Sequence, residues 1–294
     1  MPGRRSHLPS DFAILASAVL WGTLWIPLRQ IHDAGLSRGW ATAASFLLPL
    51  LVLAPLALGR WRRIAASRWE LGTVGFWLAL AIALYAEGVV RGQVARVVLL
   101  FYLTPVWSTL LARWQLGEPI TGRRVATILL GLGGMLVLFG AEAGIPMPRA
   151  AAEWMGLAAG IAWAVSMVHV NRTASHPPFD RVLAQFVFLG PLFLLVTLIP
   201  GGAGTADFQA GALVAAAPRV LVLALVWMLP VVWLTIFGAS RLEPGRVAIL
   251  LMLEILVTLA TAALLTDEPF GRRELGGAAL ILAASGVELG RFKR

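Results

Sequence analysis

RWQLGEPITGRR, residues 113–124, is a polar string set between two long apolar runs, and a fragment of it returns as DEP at 267–269. Proline disfavours helical geometry in the residue before it and suits the first turn of a helix. Glu118-Pro119 therefore predicts the end of one helix and the start of the next. On this reading Glu118 sits in a solvated hairpin turn at a membrane surface, marking architecture more than chemistry.

The interval between the two copies organises the chain. Arg96 and Arg246 are separated by the same 150 residues that separate Glu118-Pro119 from Glu268-Pro269, with no gap between them. Val97/Val247, Leu100/Leu250, Leu103/Leu253 and Ala112/Ala262 match in that register too. Apolar helices match by chance, so the Arg, Glu and Pro carry the weight. Nearer the front of each half, AVLWG at 18–22 aligns more weakly with GIAWA at 160–164, at a shift of 142.

Composition says what kind of helices these are. Of 294 residues, 59% are hydrophobic and 13% charged, with a mean hydropathy of +0.82, against about 25% charged in soluble domains. About 20 apolar residues in a helix cross a hydrocarbon core of about 30 Å, where helices satisfy their own backbone. Ten spans can be marked: 11–31, 38–58, 70–90, 93–115, 121–141, 153–172, 181–199, 217–240, 244–266 and 271–290. The predicted class is an all-α polytopic membrane protein of about ten transmembrane helices, with sequence neighbours antiparallel across short connectors.

Halves of five spans, 1–145 and 146–294, each cross an odd number of times, so the second enters from the opposite side. Two inverted five-helix repeats result. Secondary transporters are often built this way, around a central cavity near the bilayer midplane.

The formal charge of +9 and pI near 11.5 come from cations at span ends, not from a basic module with interleaved aromatics, so no nucleic-acid partner is expected. With the amino terminus inside, 16 of the 24 Arg and Lys fall inside and 8 outside, which predicts both termini cytoplasmic. Residues 4–28 resemble a signal peptide, but no small-residue cleavage site follows the apolar run, and they read as the first span. The absence of cysteine excludes disulfides and thiolate chemistry. No phosphate-binding loop is present, so no ATP is implied. His169 and His176 are separated by a helix end, so no metal pair and no cofactor are expected. The four histidines, at 7, 32, 169 and 176, form no catalytic cluster with carboxylates, which argues against an enzyme.

AVLWGTLWIPLR (18–29), LLFYLTPVWSTLLARWQLGEPIT (99–121), its second copy LLMLEILVTLATAALLTDEPF (250–270), and the Gly-rich span after each Glu-Pro resemble the EamA type of the drug/metabolite transporter superfamily. The resemblance covers the whole chain. It implies ten helices in two inverted repeats, a cavity lined mainly by helices 1, 3, 4, 6, 8 and 9, and export of small metabolites across a bacterial inner membrane. The Trp-rich spans are most similar to bacterial exporters of aromatic amino acids. The expected substrate is accordingly an aromatic or bulky apolar amino acid, moved outward by alternating access; the alternative is a hydrophobic cation or drug.

Tryptophans near span ends suit the headgroup level, whereas those within spans need a partner for the indole N–H that lipid cannot provide. Trp21 and Trp163, matched across the repeat, together with Trp233, Tyr85 and Tyr102, are candidates for an aromatic cavity wall; the bland alternative is that they fill helix contacts. Glu254, Thr258 and Thr261 share one face of span nine, with Thr104 and Ser108 at the equivalent places on span four. A carboxylate deep in a span is expected to face the interior, find a partner or be protonated. Glu254 would attract a substrate ammonium, take up a proton, or simply bond a neighbouring helix.

Arg246 suits a substrate carboxylate or a lipid phosphate, and for Arg96 the phosphate reading is stronger. Glu87 and Arg91, four apart, are expected to pair with each other. Pro27, Pro105 and Pro230 lie inside spans and each removes a backbone hydrogen bond, making them candidate gates or static bends. Small residues in spans five and ten predict close helix contact.

Overall fold

The computed structural model describes residues 8–36, 38–143, 147–198, 210–266 and 271–290; the second turn, Glu268-Pro269, lies outside the described residues. Ten rods follow one another along the chain. Span one is Leu8–Thr23 and Trp25–Asp33, span two Arg38–Leu58, span three Arg68–Arg91, span four Val94–Phe101 and Thr104–Leu116, and span five Gly122–Ala143. Span six is Ala151–Arg172, span seven Pro178–Leu198, span nine Pro244–Leu251 and Leu253–Leu265, and span ten Arg272–Leu289. Span eight joins Ala210–Val222 to Leu229–Ala239 through a π-helical stretch, Leu223–Met228. A short helix, Trp61–Ala66, lies in the connector between spans two and three, where no element was expected.

Among the described residues nine rods are long and apolar enough to cross a membrane. Span ten is the tenth rod, and of its Arg272, Arg273, Glu274 and Glu288 the last three have partners, Glu274 accepting the N–H of Gly271 at 2.8 Å. Arg273 Nε donates to Leu138 O at 2.8 Å, and Glu288 lies 3.3 Å from Arg124. Pairing of this kind offsets much of the cost of a charge in hydrocarbon.

The packing carries the pseudo-two-fold relation that the 150-residue register predicts. Span three packs on span six, and its image, span eight, packs on span one. Span four packs on span six as span nine packs on span one; spans two and seven, four and nine, and five and ten meet as self-related pairs. Nearly all the extensive contacts thus run between the repeats. Glycine permits the closest of them: a Cβ on Gly160 would stand 2.6 Å from Phe101 O, and one on Gly22 would strike Glu254 O. Small residues take this place because lipid supplies no hydrophobic drive between helices and only close backbone approach gains dispersion energy.

Three of the four broken rods break just before a proline. Pro105 has no N–H for Phe101 O, which takes the Thr104 hydroxyl instead. In span one, ahead of Pro27, Leu24 N turns to Trp21 O at 3.2 Å, and Leu20 O accepts Trp227 Nε1 at 3.2 Å. The π stretch of span eight ends two residues before Pro230. Span nine also breaks, at Met252, with no proline near; Met252 is the repeat image of Tyr102, where span four breaks.

The turn at 117–121 needs one correction. Gly117, at φ +74°, ends span four in the left-handed region that favours glycine. Pro119 lies in the linker rather than in the first turn of span five, and Thr121 Oγ1 accepts the N–H of Arg124 at 3.2 Å.

Candidate functional site

Spans one, three, four, six and nine surround one cavity, with about 660 Å³ of empty space including its mouth, lined by Trp21, Ala81, Ile82, Tyr85, Phe101, Tyr102, Thr104, Trp163, Ala248, Leu251 and Glu254. The register brings the lining together from both halves. Trp21 and Trp163 stand midway along span one and span six, and their rings meet edge to face with centroids 6.3 Å apart. Phe101 continues the wall, 6.2 Å from Trp163 and 4.7 Å from Tyr85. The two edge-on contacts of Trp163 suit the ring quadrupoles, and with the tilted Tyr85–Phe101 pair they give a stiff apolar wall.

Two polar features face this wall. Tyr102 donates its hydroxyl to Glu254 Oε1, which fixes the carboxylate across the junction of spans four and nine. Trp21 Nε1 is buried with no hydrogen-bond partner among the described residues, a donor that a bound molecule meets once the lining shifts to uncover it. Among the described residues of the lining Glu254 is the charged one, with no Arg, Lys or His beside it. Chemically the arrangement offers an aromatic slot, one acceptor for an ammonium or hydroxyl, and one indole donor.

The expected residues divide accordingly. Trp21, Tyr85, Tyr102, Thr104, Trp163 and Glu254 share the cavity. Thr258 lies beside it: its hydroxyl donates to Gly22 O at 3.0 Å and Glu254 O at 2.9 Å, while Thr261 accepts Trp25 Nε1 at 3.0 Å. This hydroxyl face fastens span nine to span one.

Trp233 stands elsewhere. It is 38% exposed and lines a shallow outward groove with Phe12 and Phe237, because its place on span eight turns it away from the bundle axis. Arg246 also lies away from the cavity. Its Nε donates to Asp11 Oδ1 at 2.8 Å and its Nη1 to Glu288 O at 2.9 Å, since a buried guanidinium is tolerable only when paired. Arg96 likewise grips Glu153, Nε to Oε1 at 2.7 Å and Nη2 to Oε2 at 3.0 Å, in place of a headgroup. Glu87 and Arg91 do pair, at 2.7 Å. Pro27, Pro105 and Pro230 adjoin breaks in spans one, four and eight.

Phe101 was absent from the residues singled out by sequence, although it precedes Tyr102 and touches both Tyr85 and Trp163. Ala81, Ile82, Ala248 and Leu251 carry no sequence signal separating them from other apolar positions in spans. Asp11 and Glu153 did have one: they lie 142 residues apart, the interval of Trp21 and Trp163.

Comparison with known proteins agrees with this architecture. The model of the EamA-like transporter family matches twice, over residues 8–140 and 150–287. A probable amino-acid metabolite efflux pump of Escherichia coli (strain K12) is 28% identical over 187 residues, 60% of this chain and 60% of its own. Its counterpart of the same description in Salmonella typhimurium is 29% identical over 191 residues, 62% of this chain and 63% of its own. The chain thus spans under two thirds of these relatives' length. A solved crystal structure superposes with a TM-score of 0.73 at 19% identity, covering 97% of this chain and 99% of that one. At that identity the likeness speaks for the fold.

Proposed function

The chain belongs to the EamA-like transporter family, and from that premise we propose that it is a secondary transporter exporting small amphipathic metabolites by alternating access. The substrates join an amine to an aromatic or bulky apolar body, with amino acids of that kind foremost. The reading places the protein in the bacterial inner membrane with both termini cytoplasmic, and divides it at residues 145 and 146 into its two repeats. The observation that carries it is the cavity itself: aromatic walls, the unpartnered Trp21 indole, and Glu254 held by Tyr102. A small-molecule site of this type is mostly apolar with a few placed polar groups. The efflux-pump relatives support the amino-acid class.

One observation favours a second reading, export of hydrophobic cations. Among the described residues the lining offers a carboxylate for an ammonium but no basic side chain for a substrate carboxylate. Aromatic faces add cation–π attraction for such ligands.

Counterflow in proteoliposomes decides between them. Vesicles preloaded with unlabelled tryptophan should transiently accumulate labelled tryptophan, saturably and with suppression by phenylalanine. A parallel set uses tryptamine, which keeps the amine and lacks the carboxylate. Accumulation of tryptamine alone selects the cation reading, and accumulation of neither from folded protein rejects both substrate classes.

A further inference from the structure

We propose that Arg246–Asp11 and Arg96–Glu153 are paired latches of the transport cycle, one at each membrane face, each releasing when the cavity opens to its own face. The inference rests on the alternating-access reading. Its ground is a relationship between the two pairs that neither shows alone. Arg96 and Arg246 are images at the 150-residue interval, and Asp11 and Glu153 are images at the 142-residue interval that also relates Trp21 to Trp163. Exchanging the repeats therefore turns one ion pair into the other.

Each pair ties one repeat to the other. Arg246 on span nine reaches Asp11 on span one, and Arg96 on span four reaches Glu153 on span six. Asp11 and Arg246 stand in the opening turns of their spans on the face where the described chain begins and ends. Arg96 and Glu153 stand in the opening turns of theirs on the opposite face. The same helix pairs line the cavity in their middles, through Trp21 and Glu254 in one and Tyr102 and Trp163 in the other. Separating either helix pair at its latched end would open a route toward those residues from that face only.

Burial supplies the two-state character. The four side chains are between 4% and 11% exposed, so protein covers most of both pairs, Arg246–Asp11 the more deeply, and both are made in this structure. A buried ion pair recovers its desolvation cost only while its geometry is kept. Once a face opens, entering water solvates both ions and replaces the pair. Intermediate separations, with neither contact nor water, are the costly ones, which favours discrete closed and open states at each face.

The chain has no cysteine, so Ile82→Cys gives a single reporter in the cavity lining. Its labelling rate by a membrane-impermeant maleimide is read in right-side-out and inside-out vesicles, with no substrate present. Arg246→Gln should raise accessibility from the terminal face relative to the opposite face by at least about tenfold, and Arg96→Gln should lower that ratio by a similar factor. The charge exchange Asp11→Arg with Arg246→Asp should return the ratio toward its parent value. Arg96→Lys, which keeps the charge but loses the two-pronged contact, should give a smaller shift of the same sign as Arg96→Gln and serves if the glutamine variant does not fold.

Ratios that stay at the parent value, or move in one direction for both variants, overturn the latches. Because labelling needs no ligand, sidedness that shifts as stated without counterflow of any compound leaves the latches standing and removes the substrate reading. Counterflow with unchanged sidedness does the reverse.

Discussion

Tyr102 on span four gives its hydroxyl hydrogen to Glu254 on span nine, 152 residues further along the chain. The acid of the cavity lining is thus held in place by the other repeat. Glu254→Gln removes the charge and turns an acceptor oxygen into a possible donor; Tyr102→Phe leaves the carboxylate and removes only its tether. We expect the first to lower counterflow of an amine substrate by roughly tenfold or more, and the second by about threefold to tenfold. Initial rates in proteoliposomes of equal protein content measure both, and an unchanged rate in the glutamine variant removes Glu254 from the site.

Trp21 and Trp227 use the same indole differently. The N–H of Trp21 has no partner among the described residues, while that of Trp227 serves Leu20 O at the break in span one. Trp21→Phe should therefore raise KM about fivefold with kcat and Tm kept. Trp227→Phe should leave KM alone and lower Tm, at a cost of about 1 kcal/mol for the lost hydrogen bond, since Leu20 O keeps the Thr23 hydroxyl at 3.3 Å. Transport kinetics and thermal unfolding in detergent separate the two; a fall in Tm for Trp21→Phe would count against the ligand-facing role.

Gly160 and Gly286 offer a matched comparison. A Cβ at Gly160 would press on the backbone oxygen of Phe101, whereas one at Gly286 would meet nothing within 4 Å. Gly160→Ala should destabilise by about 1–3 kcal/mol as spans six and four are forced apart. Gly286→Ala should stabilise by up to about 1 kcal/mol through helix propensity. Equal Tm values for the two would show that spans four and six do not approach as closely as described.

Ten rods bring the chain back to the face from which it started. A fluorescent protein fused after Arg294 should fluoresce in the cytoplasm, and alkaline phosphatase fused in the 117–121 turn should be inactive. Phosphatase fused after Met147, one span later, should be active. The reverse pattern would invert the proposed orientation while preserving the fold.

Much of this architecture was legible in the chain. Hydropathy marks spans to within a few residues at most ends, because lipid imposes a minimum length and forbids unpaired backbone. The repeat register pointed to Trp21 and Trp163 because symmetry relates positions whatever their surroundings, and Glu254 stood out as a carboxylate deep in a span. Other features depend on side-chain direction, which hydropathy does not encode: Trp233 and Trp21 both lie in apolar stretches, yet one faces outward and the other the cavity. The break at Met252 has no proline to announce it; there the geometry follows the fold's symmetry rather than a local residue. The start of span eight was placed seven residues late, since the apolar stretch Ala210–Ala239 runs 30 residues and a span of about 20 leaves its start open.

Spans five and ten hold each other by reciprocal arginines: Arg123 donates to Val287 O, and Arg273 donates to Leu138 O. During synthesis the first five spans leave the ribosome before Arg273 exists, and before Glu153 and Arg246 exist to meet Arg96 and Asp11. The early half must wait in the membrane with its polar ends provisionally served by water, headgroups or the insertion machinery. A messenger truncated after residue 145 should yield a polypeptide that is inserted and then cleared by quality-control proteases. Supplying the second half from a separate gene should rescue its lifetime, and the split protein would then assemble as two subunits do.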